Sequence, residues 1–234
     1  MATYAMSDLH LSFGVNKPMD VFGEIWKDHD KKIKKNWEST VKNDDLVLIP
    51  GDISWGMTYK EALPDFKYIN ELPGKKIFLR GNHDYYFSTK AKMDKFLEEN
   101  NLTTLKMLHN NAYDTEDYIV CGTRGWGATE ESDKKLDKKI IAREELRLKL
   151  SLDEAMKIKR EYDEKNIEKR VLVAMHFPPF VGNFQKILEE YGVYMCIYGH
   201  LHGYGHMFVK EGNINGVEYK MVSCDYNKFK MVKL

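Results

Sequence analysis

The chain has 234 residues, 43% of them hydrophobic and 31% charged. That is enough to bury a core and too polar for a membrane protein, so a single domain over 1–234 is the first expectation. Lys plus Arg is 36 and Asp plus Glu is 36, which removes the basic signature of a dedicated nucleic-acid binder and requires any partner to be held locally.

Three cysteines, Cys121, Cys196 and Cys224, are odd in number, far apart and outside any CxxC pair. They argue against a disulfide framework and for a reducing compartment. The opening Met1-Ala2-Thr3-Tyr4-Ala5-Met6 has no basic n-region, long apolar run or small-residue cleavage site, so a cytoplasmic location with no membrane partner is expected. The longest uncharged stretch, 191–209, contains His200, His202, His206 and four glycines. It is read as a buried strand followed by a polar loop.

In chain order, short apolar runs fall at 3–6, 46–49, 76–79, 118–121, 171–175 and 194–198. Their alternation with helical patterns predicts βαβ units around a buried sheet. Between the first two runs, Val21, Phe22, Ile25, Trp26, Ile33 and Trp37 recur at helical spacing, with Lys31, Lys32, Lys34 and Lys35 on other faces. This predicts one amphipathic helix. Thr58 and Glu61 form a capping box for a second helix ending near Leu72-Pro73-Gly74, and Met93, Phe96 and Leu97 mark a third.

Residues 130–170 are dense in charge, with no Gly or Pro between Gly127 and Pro178. A long exposed helix is expected there, with Leu136, Ile140, Leu148, Leu152, Ala155 and Tyr162 as its apolar stripe. Ser151 with Glu154 could instead start a new helix, so one helix or two stays open. The segment reads as a solvated helix covering one side of the sheet, with a cap or partner surface as the alternative; the oligomeric state is not legible. Asn213 and Gly216 between apolar stretches read as a hairpin.

Chemistry-bearing residues collect just after the apolar runs: Asp8 and His10, Asp52, Asn82-His83-Asp84, His176, and His200 with His202. In open α/β sheets this is the edge where ligands bind. In extended chain, residues i and i+2 point to the same side, so Asp8 with His10, and His200 with His202, can each chelate from one direction. Gly51, Gly81 and Gly199 precede Asp52, Asn82 and His200, which suits turns that need positive φ or close backbone approach. Imidazole, carboxylate and amide oxygen without thiolate select Mn, Fe, Zn or a related divalent ion. Seven candidate ligands, Asp8, His10, Asp52, Asn82, His176, His200 and His202, exceed the needs of one tetrahedral ion. Two ions follow if one carboxylate bridges them. Only Asp8 and Asp52 bring negative charge, so such a site would attract an anionic phosphate.

These blocks resemble the calcineurin-like metallophosphoesterase superfamily: Asp8-Leu9-His10, Gly51-Asp52, Gly81-Asn82-His83-Asp84, His176 before Phe177-Pro178-Pro179, and Gly199-His200-Leu201-His202, in that order across residues 8–202. The resemblance implies an α/β fold, a four-layer α/β/β/α sandwich with two central mixed β-sheets, and a dinuclear site. By analogy one metal would take Asp8, His10, Asp52 and His202, and the other Asp52, Asn82, His176 and His200. His83 would be the catalytic acid for the leaving oxygen and Asp84 part of its loop scaffold. Protein Ser/Thr phosphatases of this superfamily carry an Asp three residues after the bridging Asp, pairing with the catalytic His, and then a phosphate-binding Arg. Here those positions are Trp55 and Gly56, so whatever orients His83 must come from elsewhere. The GHxH form of the last block looks like the small phosphodiesterase and nuclease branches.

The expected activity is hydrolysis of a phosphomonoester or phosphodiester by metal-bound hydroxide, with two divalent ions, Mn2+ or Fe2+ ahead of Zn2+. A phosphorylated small molecule is the expected substrate. A nuclease, with nucleic acid disfavoured as partner, and a non-catalytic metal-binding scaffold are the alternatives. Arg124, in Gly122-Thr123-Arg124-Gly125-Trp126, could reach a substrate phosphate or lie on a surface loop. Trp55 and Trp126 could form an aromatic wall for a flat group or pack in the core. Tyr85, Tyr86 and Phe87 could line a pocket or anchor their helix. His206 divides evenly between supporting the site and lying on the hairpin surface, and His29 and His109 are expected to face solvent.

Overall fold

The computed structural model describes residues 1–127 and 134–234. The first residues of the charged segment, 130–133, lie outside the described residues. The chain forms two compact units, Met1–Met107 with Val222–Leu234, and Leu108–Met221.

The first unit opens with β1 (Thr3–Ala5), followed by α1 (His29–Thr40), β2 (Leu46–Pro50), α2 (Tyr59–Glu71), β3 (Lys75–Leu79), α3 (Lys90–Glu99) and β4 (Leu105–Met107). All five residues of β2 are buried, as expected of a parallel strand covered on both faces. Helix α2 starts at the predicted capping box: the Glu61 amide donates to Thr58 Oγ1 (3.3 Å), and the Thr58 amide donates to Glu61 Oε2 (3.1 Å). Met93, Phe96 and Leu97 form the buried stripe of α3.

The predicted helix through 21–37 is broken. Two 3-10 turns, Asp20–Phe22 and Glu24–Trp26, precede α1, and Val21, Phe22 and Ile25 are exposed. Gly23 at φ 129° and Asp28 at φ 49° lie outside right-handed helical geometry, so the spacing of the apolar residues cannot become one face. Only Ile33 and Trp37 of the expected stripe are buried in α1. Trp37 donates its indole N–H to the Pro73 carbonyl at 2.9 Å. His29 is buried rather than solvent-facing, with Nε2 3.3 Å from the His10 carbonyl.

The second unit contains β5 (Tyr113–Asp114), β6 (Tyr118–Thr123), α4 (Lys134–Asp163), β7 (Arg170–Met175), α5 (Phe184–Glu190), β8 (Met195–Tyr198), β9 (Gly212–Ile214) and β10 (Val217–Met221). The charged segment is one helix, α4, packed along β6. Its buried residues are Leu148, Leu152 and Ala155 together with Asp137, Glu144 and Ser151, while Leu136, expected in the stripe, is exposed. Each buried polar residue has a partner. Trp126 Nε1 donates to Asp137 (2.8 Å), the Thr123 hydroxyl to Glu144 (2.9 Å), and the Gly122 amide to Ser151 Oγ (2.9 Å). Satisfied polar groups take the places that an apolar count assigns elsewhere. The hairpin forms as expected, with Asn215 and Gly216 both at positive φ between β9 and β10.

The chain then returns as β11 (Val232–Lys233), antiparallel to β1. The first unit's sheet runs β11-β1-β2-β3-β4 and the second's β5-β6-β7-β8-β10-β9. Strands β1 to β4 are mutually parallel, as are β6, β7, β8 and β10, with antiparallel strands at the sheet edges. The fold is α/β with two mixed sheets and flanking helices. Because the inner strands run in one direction, their C-terminal ends share one edge in each unit. Among the described residues no helix is long and apolar enough to cross a membrane. The three cysteines are free and buried.

Candidate functional site

In the first unit, the loops after β1, β2 and β3 carry the predicted residues, and backbone bonds stitch the first two loops together. The amides of Asp8, His10 and Leu11 donate to the carbonyls of Gly51, Asp52 and Ile53 at 2.9 to 3.0 Å. Asp8, His10 and Asp52 all adopt left-handed backbone, at φ 60°, 46° and 51°. Such conformations persist where surrounding contacts over-determine them, and they concentrate at functional sites. All three are buried. Asp8 and His10 hold ligand atoms within 4.8 Å of each other, and His10 Nε2 lies 3.8 Å from Asp52 Oδ2.

Asp52 is fixed by the Asn82-His83-Asp84 turn: its Oδ1 accepts the His83 amide at 2.8 Å. Gly81 permits this approach, since a Cβ there would collide with the Asp52 carboxylate and amide nitrogen. Asp84 is the buried hub of the turn. Its carboxylate accepts from the amides of Gly81 (2.6 Å), Asp52 (2.9 Å), Ile53 (2.9 Å) and Ser54 (3.3 Å) and from the Tyr86 hydroxyl (2.9 Å). Burial pushes its carboxyl above the usual carboxylate range, against the pull of the Gly81, Ile53 and Ser54 amides and the Tyr86 hydroxyl. Burial and the Asp84 charge together hold the Tyr86 hydroxyl far above its ordinary value.

Asp8 is supported from the distant C-terminal segment. The hydroxyls of Ser7 and Ser223 both donate to its Oδ2, the latter at 2.8 Å, and the Cys224 thiol donates to its carbonyl at 3.0 Å. Behind the loops, Asp65 of α2 accepts the Phe13 amide at 2.8 Å and the Ser54 hydroxyl. None of Ser7, Ser223, Cys224 or Asp65 stands out in the sequence. Their only signal is a polar residue beside, or far from, a ligand block.

Trp55 is buried and stacks on His10, with centroids 4.9 Å apart and planes at 21°, and it also lies 4.5 Å from His83. It donates its indole N–H to Met19 Sδ at 3.1 Å, and the Lys17 ammonium sits 3.5 Å from its ring centroid. Trp55 therefore backs the imidazoles of this edge. Tyr86 and Phe87 are buried and Tyr85 is exposed.

In the second unit, His176 follows β7 directly, and His200 and His202 follow β8. His176 is buried and His200 half-buried, with ligand atoms within 4.8 Å of each other and ring centroids 5.1 Å apart. Phe177 packs on His200 at 4.1 Å. His200 also has left-handed backbone, at φ 73°. The loop after β6 supports this edge, since the Arg124 carbonyl accepts the amides of both His176 (3.1 Å) and Phe177 (2.9 Å). The Arg124 guanidinium lies 3.8 Å from the buried Glu144 carboxylate and 4.9 Å from the Trp126 ring. His109 and His206 are half-buried, the latter in the 3-10 turn Gly203–Phe208.

Each edge thus presents a group of metal-binding composition, carboxylate and imidazole in the first unit and imidazole in the second, without thiolate. Hard and borderline donors of this kind fit divalent Mn, Fe or Zn.

Residues 1–204 match the family model described as calcineurin-like phosphoesterase. The chain is similar to the Gene 66 protein of Mycobacterium phage L5, 38% identical over 84 residues, 35% of this chain and 39% of that protein. The Gene 66 protein of Mycobacterium phage D29 is 37% identical over 79 residues, 33% and 38% of the two chains. The alignments thus span well under half of these relatives' length. Among solved structures, AQ665, a protein of unknown function from Aquifex aeolicus, is 15% identical, with 99% of this chain and 95% of that chain covered and a TM-score of 0.48. The family match runs through every block from Asp8 to His202, and the chain belongs to the calcineurin-like phosphoesterase family.

Proposed function

We propose that the protein is a dinuclear metal-dependent phosphohydrolase that cleaves a phosphomonoester or phosphodiester of a small molecule. Asp8, His10, Asp52 and His202 would hold one ion, and Asp52, Asn82, His176 and His200 the other, with Mn2+ or Fe2+ favoured over Zn2+. Bound ions would supply a nucleophile at neutral pH and neutralise charge on the phosphoryl oxygens.

The chain's own residues do the rest. The buried carboxylates of Asp8 and Asp52 set the charge of the site, the loops after β1 and β2 hold them in place, and His83 delivers a proton to the leaving oxygen. Arg124 and Trp126, beside the His176 turn, are the proposed contacts for the rest of the substrate. The observation that carries this reading is the buried Asp8, His10 and Asp52 group on left-handed backbone. Two buried carboxylates beside an imidazole are costly unless a cation compensates them.

The test is a screen of Mn2+, Fe2+, Zn2+, Co2+ and Mg2+ against mono- and diesters, including cyclic and dinucleotide compounds, with bound metal measured on the same samples. Two ions per chain and turnover that tracks loading are expected. Full loading without hydrolysis of any ester would favour the scaffold alternative.

A further inference from the structure

The loop that carries His83 also carries a group aimed at its ring. The Tyr85 hydroxyl lies 3.4 Å from His83 Nδ1, and the Tyr85 ring meets the imidazole edge-on, with centroids 5.9 Å apart and planes at 76°. Trp55 covers the imidazole at 4.5 Å and His10 approaches it at 5.7 Å. The His83 backbone is tied down through its amide to Asp52 Oδ1 at 2.8 Å. Three rings therefore fence the plane of the imidazole, and the phenol addresses one of its two nitrogens. Trp55 occupies the third position after Asp52 and meets the His83 ring at a tilt of 49°.

We propose that Tyr85 is the positioning residue for His83: its hydroxyl holds Nδ1, with Trp55 behind the ring, so that Nε2 is the nitrogen turned to the leaving oxygen. A phenol suits both protonation states. When the ring carries both protons, Nδ1–H donates to the phenol oxygen. Once Nε2 has given its proton to the leaving oxygen, the neutral ring keeps its remaining proton on Nδ1, which still donates to the phenol oxygen. The same atom pair holds the ring before and after proton delivery, and no reorientation is needed. The 3.4 Å separation leaves room to shorten once substrate is bound, as catalytic hydrogen bonds do. The proposal rests on His83 as the proton donor.

The experiment reads the contact and the chemistry separately. In 15N-labelled, metal-free protein, long-range proton–nitrogen spectra give the tautomer of His83, whose signals are identified by their loss in His83→Gln. Tyr85→Phe keeps the ring and removes only the hydroxyl. It is expected to shift the Nδ1 resonance and relax the tautomer balance. In metal-loaded protein it should lower kcat on alkyl phosphate esters by about three- to tenfold, the scale of one lost hydrogen bond, with KM unchanged. Nitrophenyl esters, whose leaving group needs no proton, should barely respond. Tyr85→Leu, which loses the ring as well, should fall further. An unchanged His83 spectrum in Tyr85→Phe overturns the proposal whatever the activity, as does an equal kcat loss on both ester types. A shifted spectrum alongside a fully active His83→Ala would instead overturn the donor role of His83, and with it any catalytic purpose for the contact.

Discussion

The two candidate edges carry their ligands on different supports. In the first unit Asp8, Asp52 and Asp84 are buried acidic side chains that accept hydrogen bonds from hydroxyls and backbone amides. In the second, His176 and His200 are set by ring packing on each other and on Phe177, with the Arg124 carbonyl holding the His176 turn. A buried neutral imidazole costs little, whereas a buried carboxylate is expensive unless its charge is met. The first edge is therefore the half expected to depend on a bound cation. Changes there should read out in metal binding and stability together.

The sharpest way to break this comparison is Asp52→Asn, which keeps the shape and the acceptor for the His83 amide while removing the charge. Bound metal should drop to background and turnover should fall by more than about 10³-fold, at least the scale of deleting one electrostatic stabiliser. Thermal unfolding should follow the same dependence: added Mn2+ is expected to raise the Tm of the native protein by linkage and leave Asp52→Asn unmoved. A variant that still binds two ions would show that Asp52 is not shared.

His83→Ala comes next and separates chemistry from loading. Metal content should stay near that of the native protein while kcat falls by ~10² to 10⁴, the usual span of a general acid. The loss should be smaller on nitrophenyl esters, and equal losses on good and poor leaving groups would exclude His83 as the donor.

Asp65 tests whether buried charge burdens the first unit even away from the ligands. Burial pushes its carboxyl up to about 6, with the nearby Asp84 charge adding to the rise, against the Ser54 hydroxyl and Phe13 amide. The native state therefore binds this proton more tightly than the unfolded chain, whose carboxyl titrates near ~3.9. The contribution is intact below about pH 4, declines between about pH 4 and 6, and leaves a cost on the order of 2 to 3 kcal/mol above that window. Asp65→Asn, still able to accept the Phe13 amide, should remove the slope. Urea midpoints from pH 4 to 8 check it: the native protein should lose ground to the variant as pH rises, and a flat or opposite trend defeats the account.

Legibility in the sequence followed the kind of interaction. All six apolar runs became strands, within two residues of the expected bounds, because buried parallel strands are nearly continuous apolar runs. The candidate ligand blocks fall at strand ends, where the chain must turn. The break at Gly23 and Asp28 was hidden, since helical spacing persists even where backbone dihedrals forbid one helix. His29 looked solvated among charges, yet its imidazole is buried beside the His10 carbonyl. Lys76 is fully buried in β3, its ammonium bonded to the Leu72 carbonyl and to Thr104 Oγ1, a satisfied exception that composition cannot flag. Ser223 is the extreme case: its partner Asp8 is 215 positions away, and no local pattern encodes that meeting.

That long-range serine gives the smallest and most discriminating test of the comparison. Ser223 and Ser7 both donate to the same oxygen of Asp8, so removing one hydroxyl leaves the other to orient the carboxylate. Ser223→Ala should weaken metal binding by about tenfold, the low end of the range for groups that support a ligand. Ser7→Ala with Ser223→Ala should cost more than the sum of the two single changes, because only then does Asp8 lose both donors. Phe177→Leu, which loosens His200 in the other unit without touching a charge, should cost less than Ser223→Ala in metal titrations by calorimetry. If the phenylalanine proves the more costly of the two, imidazole packing rather than carboxylate anchoring governs affinity, and the contrast between the two edges runs the other way.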